Sequence, residues 1–202
     1  MGKPAFTRAE PDARRQSLVE ACARVLAREG AAGSSVRTIA VEAGVSPGLV
    51  GHYFSGVDAL VAATYAHVGE QVSEALAAAV AAAGDDPHAR LAAYVTASFA
   101  PPIADPALLA TWIAFWSLVK PRADIARLHD DIYASYRSDL EGLLGACGVA
   151  LADLRLTAIA ITALVDGLWL ELCLSPDSFS PAEARAIAEA QLATLIPAIG
   201  CA

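Results

Sequence analysis

The sequence predicts an all-α fold, and three observations carry that prediction. Alanine supplies much of a hydrophobic fraction of 56%, and alanine is the residue that costs least in a helix. Runs of Val, Ile, Thr and Tyr of the kind that build strands are absent. Proline and glycine fall between apolar segments of helical length, where they punctuate helices. A chain of 202 residues allows one domain or two small ones.

The first helix is predicted over Arg14 to Glu29. Leu18, Cys22, Val25 and Leu26 recur at helical spacing, and Gly30 stands where a helix stops. The second opens at Ser35, a favoured N-cap residue, and turns Val36, Ile39, Ala40 and Ala43 to one side. Gly44 ends it, and Val45 plugs the corner that follows.

The stretch "AGVSPGLVGHYF", Ala43 to Phe54, holds three glycines and a proline yet ends in two aromatics. It reads as a third, short helix. Ser46 can cap it, and Pro47 suits its first turn, where the missing N–H is no loss. Val50 and Phe54, four apart, point into a small core. Ser46, Pro47, Gly48, Leu49, Gly51 and His52 are left on an outer face of nearly bare backbone. A helix, a short turn with glycine and a second helix over about residues 35–54 form a helix-turn-helix. A face this small suits the DNA major groove.

Six longer helices follow from spacing and breakers. They run from Asp58 to about Ala83, Pro87 to Ala100, Pro106 to Val119, Ala123 to Cys147, Asp153 to Leu174, and Pro181 to Ile196. Gly84, Pro101-Pro102, Pro121, Pro176 and Pro197 stop them, and Ser180 caps the last. The total is about nine helices. No internal repeat or low-complexity linker interrupts them.

Charge is unevenly placed. Residues 1–60 hold seven Lys/Arg against six acids, a net of +1; the whole chain is at −8, so the remainder is at −9. The acidity belongs to the C-terminal two-thirds, while Arg14, Arg15 and Arg37 remain available to phosphates. The start of the chain lacks an apolar signal core. The most apolar window, Thr157 to Leu174, carries Asp166 and Glu171, each costly at a bilayer centre, and reads as a buried or interfacial helix. No membrane association is expected.

The four cysteines, Cys22, Cys147, Cys173 and Cys201, have neither paired spacing nor a neighbouring His. They signal no disulfide framework and no metal site, and a cytoplasmic protein is expected. Enzymatic chemistry is not expected either. Ser46, His52 and Asp58 span a turn and two helices without an oxyanion-hole motif. His67, His88 and His129 stand alone, and Asp130 and Asp131 diverge on a helix. No cofactor is implied.

The segment "SSVRTIAVEAGVSPGLVGHYFSGVDALVAATYAHV" resembles the N-terminal DNA-binding domain of TetR/AcrR-family transcriptional regulators, over about Arg14 to Val68. The segments "TWIAFWSLVKPRADIARLHDDIYASYRSDLEGLL" and "ALVDGLWLELCLS" resemble the C-terminal part of the BetI-like branch, regulators of choline and betaine genes. The resemblance implies a helix-turn-helix domain over residues 9–69 and an effector-binding and dimerisation domain over 70–202. It implies a repressor that binds a palindromic double-stranded operator as a homodimer and is released by a small-molecule effector. The groove-facing positions are then Ser46, Pro47, Gly48, Leu49, Gly51 and His52, with Arg37 reaching a phosphate or a guanine edge and the Tyr53 hydroxyl against a phosphate. One departure stands out: Val57 occupies the place of a phosphate-gripping lysine, and Lys3, Arg8, Arg14 and Arg15 are the candidates to compensate. The helices Asp153–Leu174 and Pro181–Ile196, rich in Ala, Ile and Leu, are the expected dimer surface.

For the effector, Trp112, Phe115 and Trp116 lie at i, i+3 and i+4, and Trp169 follows Asp166 at i+3. Aromatics beside a carboxylate suit an organic cation through cation–π attraction and charge. The competing reading is a helical small-molecule or partner-binding protein without operator binding.

Overall fold

The computed structural model describes residues 9–196; Lys3, Arg8, Pro197 and Cys201 lie outside them. Nine helices and no strand occur among the described residues. The first, α1 (Ala9–Gly33), breaks its helical backbone at Gly30, where φ is 67° and ψ −173°. That left-handed residue is the predicted stop, reached without a Cβ penalty. Next come α2 (Val36–Glu42) and α3 (Pro47–Tyr53). The Ser35 side chain accepts from Thr38 N–H and caps α2. Ser46 occupies the N-cap position of α3 with extended backbone, but its side chain makes no capping bond, so the hydroxyl expected there is not spent on the helix.

Leu18, Cys22, Val25, Leu26, Ile39, Ala40, Val50 and Phe54 close the core between these three helices, with Leu60 and Val61 of α4 (Val57–Ala82) sealing it. Burying Val50 and Phe54 contributes about 1.5–3 kcal/mol each and fixes the rotation of α3 about its own axis. Cys22 and Cys147 are buried and Cys173 half-buried, all as free thiols.

At 26 residues, α4 is about 39 Å long and passes from the N-terminal bundle into the rest of the molecule. There it meets α5 (Pro87–Ala97) and α7 (Ala123–Ala146). At Gly69 it crosses α7 so closely that a Cβ there would stand 2.9 Å from Ile132 Cδ1. Arg122, just before α7, reaches the first turn of α4: its guanidinium donates to Asp58 Oδ1 at 2.8 Å and to the Asp58 carbonyl at 3.1 Å. The helix α6 (Pro106–Val119) lies between α1 and α8 (Leu151–Leu174), and the Thr111 hydroxyl donates to the Ala23 carbonyl of α1 at 3.1 Å. A capping box built by Ser180 and Glu183 opens α9 (Pro181–Leu195).

Several element ends differ from expectation. α1 starts at Ala9 rather than Arg14, α5 stops at Ala97 rather than Ala100, and α8 starts at Leu151 rather than Asp153. α8 is long and apolar enough to cross a membrane, with mean hydropathy 1.7 over its best window. One side of it buries Ile161, Val165, Leu168 and Trp169 within the protein. Elsewhere it exposes Leu156 (64%), Leu170 (38%) and Leu174 (68%), while α9 exposes Ile187 and Leu195.

Candidate functional site

On α3 the inward pair, Val50 and Phe54, is buried. Ser46, Pro47, Gly48, Gly51 and His52 are exposed, and Leu49 is half-buried. A Cβ added at Gly51 would meet nothing within 4 Å, so this face is open space above backbone. Tyr53 is half-buried against the core, with its ring edge-on to His52 at 5.1 Å. Arg37, at the start of α2, is exposed.

The cations around this surface divide into bound and unbound. Arg24 and Arg28 are tied to Glu42 at 2.7 and 2.9 Å. Arg15 holds its guanidinium 5.0 Å from the centre of the Phe54 ring, which steadies the end of α3 through cation–π attraction. Arg14 and Arg37 form no ion pair among the described residues. Val57, where a lysine was expected, is half-buried at the start of α4 and offers no charge.

A second candidate site is a cavity of about 300 Å³ among α4, α5, α6, α7 and α8. Trp112, Asp166 and Trp169 line it, together with Tyr94, Tyr133, Tyr136 and Thr162. Its acids are Glu70, Asp131, Asp139 and Asp166, and no Lys or Arg lines it. Two predicted wall residues lie elsewhere. Phe115 is fully buried and stacks on Tyr65 at 4.3 Å, away from the cavity. Trp116 is half-buried and does not line it. Helical spacing put all three aromatics on one stripe, but only its Trp112 edge looks into the space between helices.

The polar centre of the cavity is the Tyr133 hydroxyl. Trp112 Nε1 donates to it at 3.3 Å, Trp116 Nε1 donates at 3.0 Å, and it donates to Asp166 Oδ1 at 3.1 Å. Burial pushes the Asp166 carboxyl up to about 6; the Tyr133 hydrogen bond and the Arg137 charge oppose that rise. Arg137 makes no salt bridge with Asp166 and instead places its guanidinium 5.6 Å from the Tyr133 ring centre. Trp169 donates to the Ser98 carbonyl at 2.9 Å and meets Trp112 edge-on at 5.6 Å. The Tyr136 and Ser98 hydroxyls are both buried and act on one another, without a hydrogen bond of good geometry to any described residue.

From Tyr133 the network runs to α4. The His129 ring lies 4.1 Å from that of Tyr133, and its Nδ1 is 2.9 Å from the Tyr65 hydroxyl. Burial lowers the His129 pKa and favours the neutral ring. Tyr133 and Tyr136 are absent from the sequence reading, although their spacing of three in "IYASYRSD" puts them on one helix face. What that face looks at depends on α8, which sequence spacing does not reveal. No group of three or more metal-ligating side chains occurs among the described residues.

Two family models match the chain. One, for bacterial regulatory proteins of the tetR family, covers residues 18–64; the other, for the C-terminal part of BetI-type transcriptional repressors, covers residues 87–197. The chain is 34% identical over 193 residues to HTH-type transcriptional regulator BetI 2 of Chromohalobacter salexigens, covering 93% of this chain and 91% of that one. A crystal structure assigned to a transcriptional regulator of Pseudomonas aeruginosa PAO1 superposes with a TM-score of 0.83 at 42% identity, over 95% of this chain and 94% of the other. Another, assigned to a regulator of Saccharomonospora viridis and solved with choline, superposes with a TM-score of 0.79 over 89% of this chain and 95% of that one. At 18% identity that last likeness is one of fold.

Proposed function

Because the chain belongs to the tetR family of bacterial regulatory proteins, with a BetI-type C-terminal domain, we propose that it is a cytoplasmic homodimeric repressor released from its operator by an organic cation. That it is a DNA-binding transcriptional regulator with a ligand, and not an enzyme, follows from the family itself. The operator geometry, the dimer surface and the cation are the proposal.

Two copies present α3 to two half-sites of a palindromic operator about one DNA turn apart or slightly more. Arg37 and Tyr53 address phosphates, while Ser46, Pro47, Gly48, Leu49, Gly51 and His52 meet the groove floor. With so few donors, binding leans on phosphates and DNA shape more than on base edges. The exposed leucines of α8 and Ile187 of α9 support a dimer surface there, since an apolar patch of this kind on a folded chain marks an interaction site. Residues 9–69 act as the DNA-binding unit and 70–202 as the effector and dimer unit.

The observation that carries the effector reading is the cavity wall: four acids, no Lys or Arg, and Asp166 set among Trp112, Trp169 and three tyrosines. This is the chemistry of a site for an ammonium group. Choline is the natural first probe, because a protein of the same fold was solved with it. Release works only through unequal affinity of the cation for the DNA-bound and free conformations.

Gel-shift titration with DNA from upstream of the gene, repeated over a salt series and with choline added, tests the whole reading. Binding of two protomers that weakens with salt and with choline is the expected result. A monomer by sedimentation velocity, or no shift at low salt, overturns it. Tryptophan fluorescence with choline and with its uncharged isostere 3,3-dimethylbutanol tests the cation alone, and equal responses end that part.

A further inference from the structure

We propose that Trp116, which does not touch the cavity, is a positioning residue for the effector: its indole N–H, with that of Trp112, fills the acceptor positions of the Tyr133 hydroxyl and forces the hydroxyl proton onto Asp166. This deepens the cation reading above and rests on it for its ligand.

The argument is one of donor and acceptor capacity. An indole N–H can only donate, and a phenol hydroxyl has one proton to give and lone pairs to receive. Two indoles converge on the Tyr133 oxygen, at 3.3 Å from Trp112 and 3.0 Å from Trp116. The third neighbour, Asp166 Oδ1 at 3.1 Å, must therefore accept the hydroxyl proton. Were the indoles absent, the same hydroxyl could turn and receive a proton from a neutral Asp166. With them in place that option is closed, and Oδ1 is held as an acceptor. Among the described residues Oδ2 has no hydrogen-bond partner, and Asp166 lines the cavity. The carboxylate is thus oriented before the ligand arrives, and less ordering remains to be done on binding.

The titratable groups that bear on Asp166 are Tyr65 and Glu70 of α4, Tyr94 of α5, and Tyr133, Tyr136 and Arg137 of α7, with Asp131 and Asp139 on the same wall. Of these, Tyr133 and Arg137 favour the charged carboxylate, against the burial that disfavours it. Removing the Trp116 donor frees a lone pair on Tyr133 and weakens the first of those two supports. Asp166 then takes up a proton at a higher pH than in the unaltered protein.

The test uses Trp116→Phe and, as a closer isostere, benzothienylalanine at position 116, which keeps the bicyclic ring and loses only the donor. Calorimetric titration of the full-length protein with choline from pH 5 to pH 8 is expected to show affinity falling about two- to tenfold at neutral pH. The pH at which choline binding is lost is expected to rise in both variants, while 3,3-dimethylbutanol binds each as it binds the unaltered protein. Tyr133→Phe, which removes the donor to Asp166 outright, sets the upper limit of the effect. Unchanged choline affinity and pH profile in both Trp116 variants overturn the proposal while leaving the cation reading standing. If the unaltered protein itself does not distinguish choline from the alcohol, the cation reading fails, and the carboxyl carbon signal of Asp166 in ligand-free, ¹³C-labelled protein decides the matter. A higher titration midpoint in the variants supports the role of Trp116, and an equal midpoint removes it.

Discussion

The outer face of α3 offers backbone, small side chains and one imidazole, whereas the cavity among α4, α5, α6, α7 and α8 surrounds a single hydroxyl with three hydrogen-bonding partners. The contrast follows from what each surface is proposed to meet. Duplex DNA brings a dense array of fixed charges and its own groove shape, so a protein surface that comes close and adds little suffices. A small cation brings one diffuse charge and no shape of its own, so the protein must build the anion, hold it and strip water from around it. The first surface is therefore sensitive to bulk and charge, and the second to single hydrogen bonds.

Gly51→Glu is expected to break the first half of that contrast most severely. The new side chain occupies open space, so the fold is kept, and glutamate favours helix over glycine. A like charge set against phosphates costs several kcal/mol, which is a loss in operator affinity on the order of 100-fold or more. Gel shift with thermal melting checks both: affinity falls and Tm does not. Asp166→Asn is the corresponding strike at the cavity. Removing the charge while keeping an acceptor for Tyr133 is expected to weaken choline binding about 10- to 100-fold and to leave the uncharged isostere unaffected. In the unaltered protein, choline affinity is expected to fall as pH drops through about 6, where Asp166 takes up its proton, and calorimetric titration across that range checks it.

The same residue carries a stability consequence of opposite sign. Burial holds the folded carboxyl above its unfolded value, so its contribution is favourable below the unfolded pKa and is lost as pH rises through about 6. The ligand-free Asp166→Asn protein is accordingly expected to melt a few degrees higher than the unaltered one at pH 7, with the difference shrinking toward pH 4. A melting series across that range reads it directly.

Smaller effects sharpen the comparison. Val57→Lys restores a charge at the start of α4 and is expected to raise operator affinity a few-fold, steepening the logarithmic salt dependence by about one unit. Arg122→Ala removes the bridge to Asp58. Because Asp58 is 77% exposed, the loss in folding stability is about 1 kcal/mol or less. Its larger signature is expected in the response to choline, measured as operator affinity with and without the ligand.

Much of the fold was legible because its boundaries are set by local chemistry. Pro47, Pro106 and Pro181 sit in first turns, Ser35 and Ser180 cap, and Gly30, Gly44 and Gly84 adopt left-handed backbone where helices stop. The start of α8 at Leu151 was missed because its N-cap, Ala150, carries no capping side chain. Ser46 shows the converse, a good cap residue whose hydroxyl does not cap. The cavity was legible where helical spacing pairs two residues, as with Asp166 and Trp169, and at Trp112, one edge of an aromatic stripe. Tyr133 escaped because its importance arises from partners 17, 21 and 33 residues away, and such meetings are settled by packing between helices. The same limit explains Phe115, which shares a stripe with Trp112 but finds Tyr65 instead of the cavity.

The near-contact of Gly69 with Ile132 gives α4 a fulcrum. From that point the helix extends about 18 Å back to Val57 and about 20 Å on to Ala82, two nearly equal lever arms. Each degree of tilt about the crossing carries Val57, and the bundle sealed by Leu60 and Val61, through about 0.3 Å. A methyl group at position 69 could be accommodated only if the flexible end of Ile132 turned aside, so the bare backbone there is what lets the lever rest so close to its neighbour.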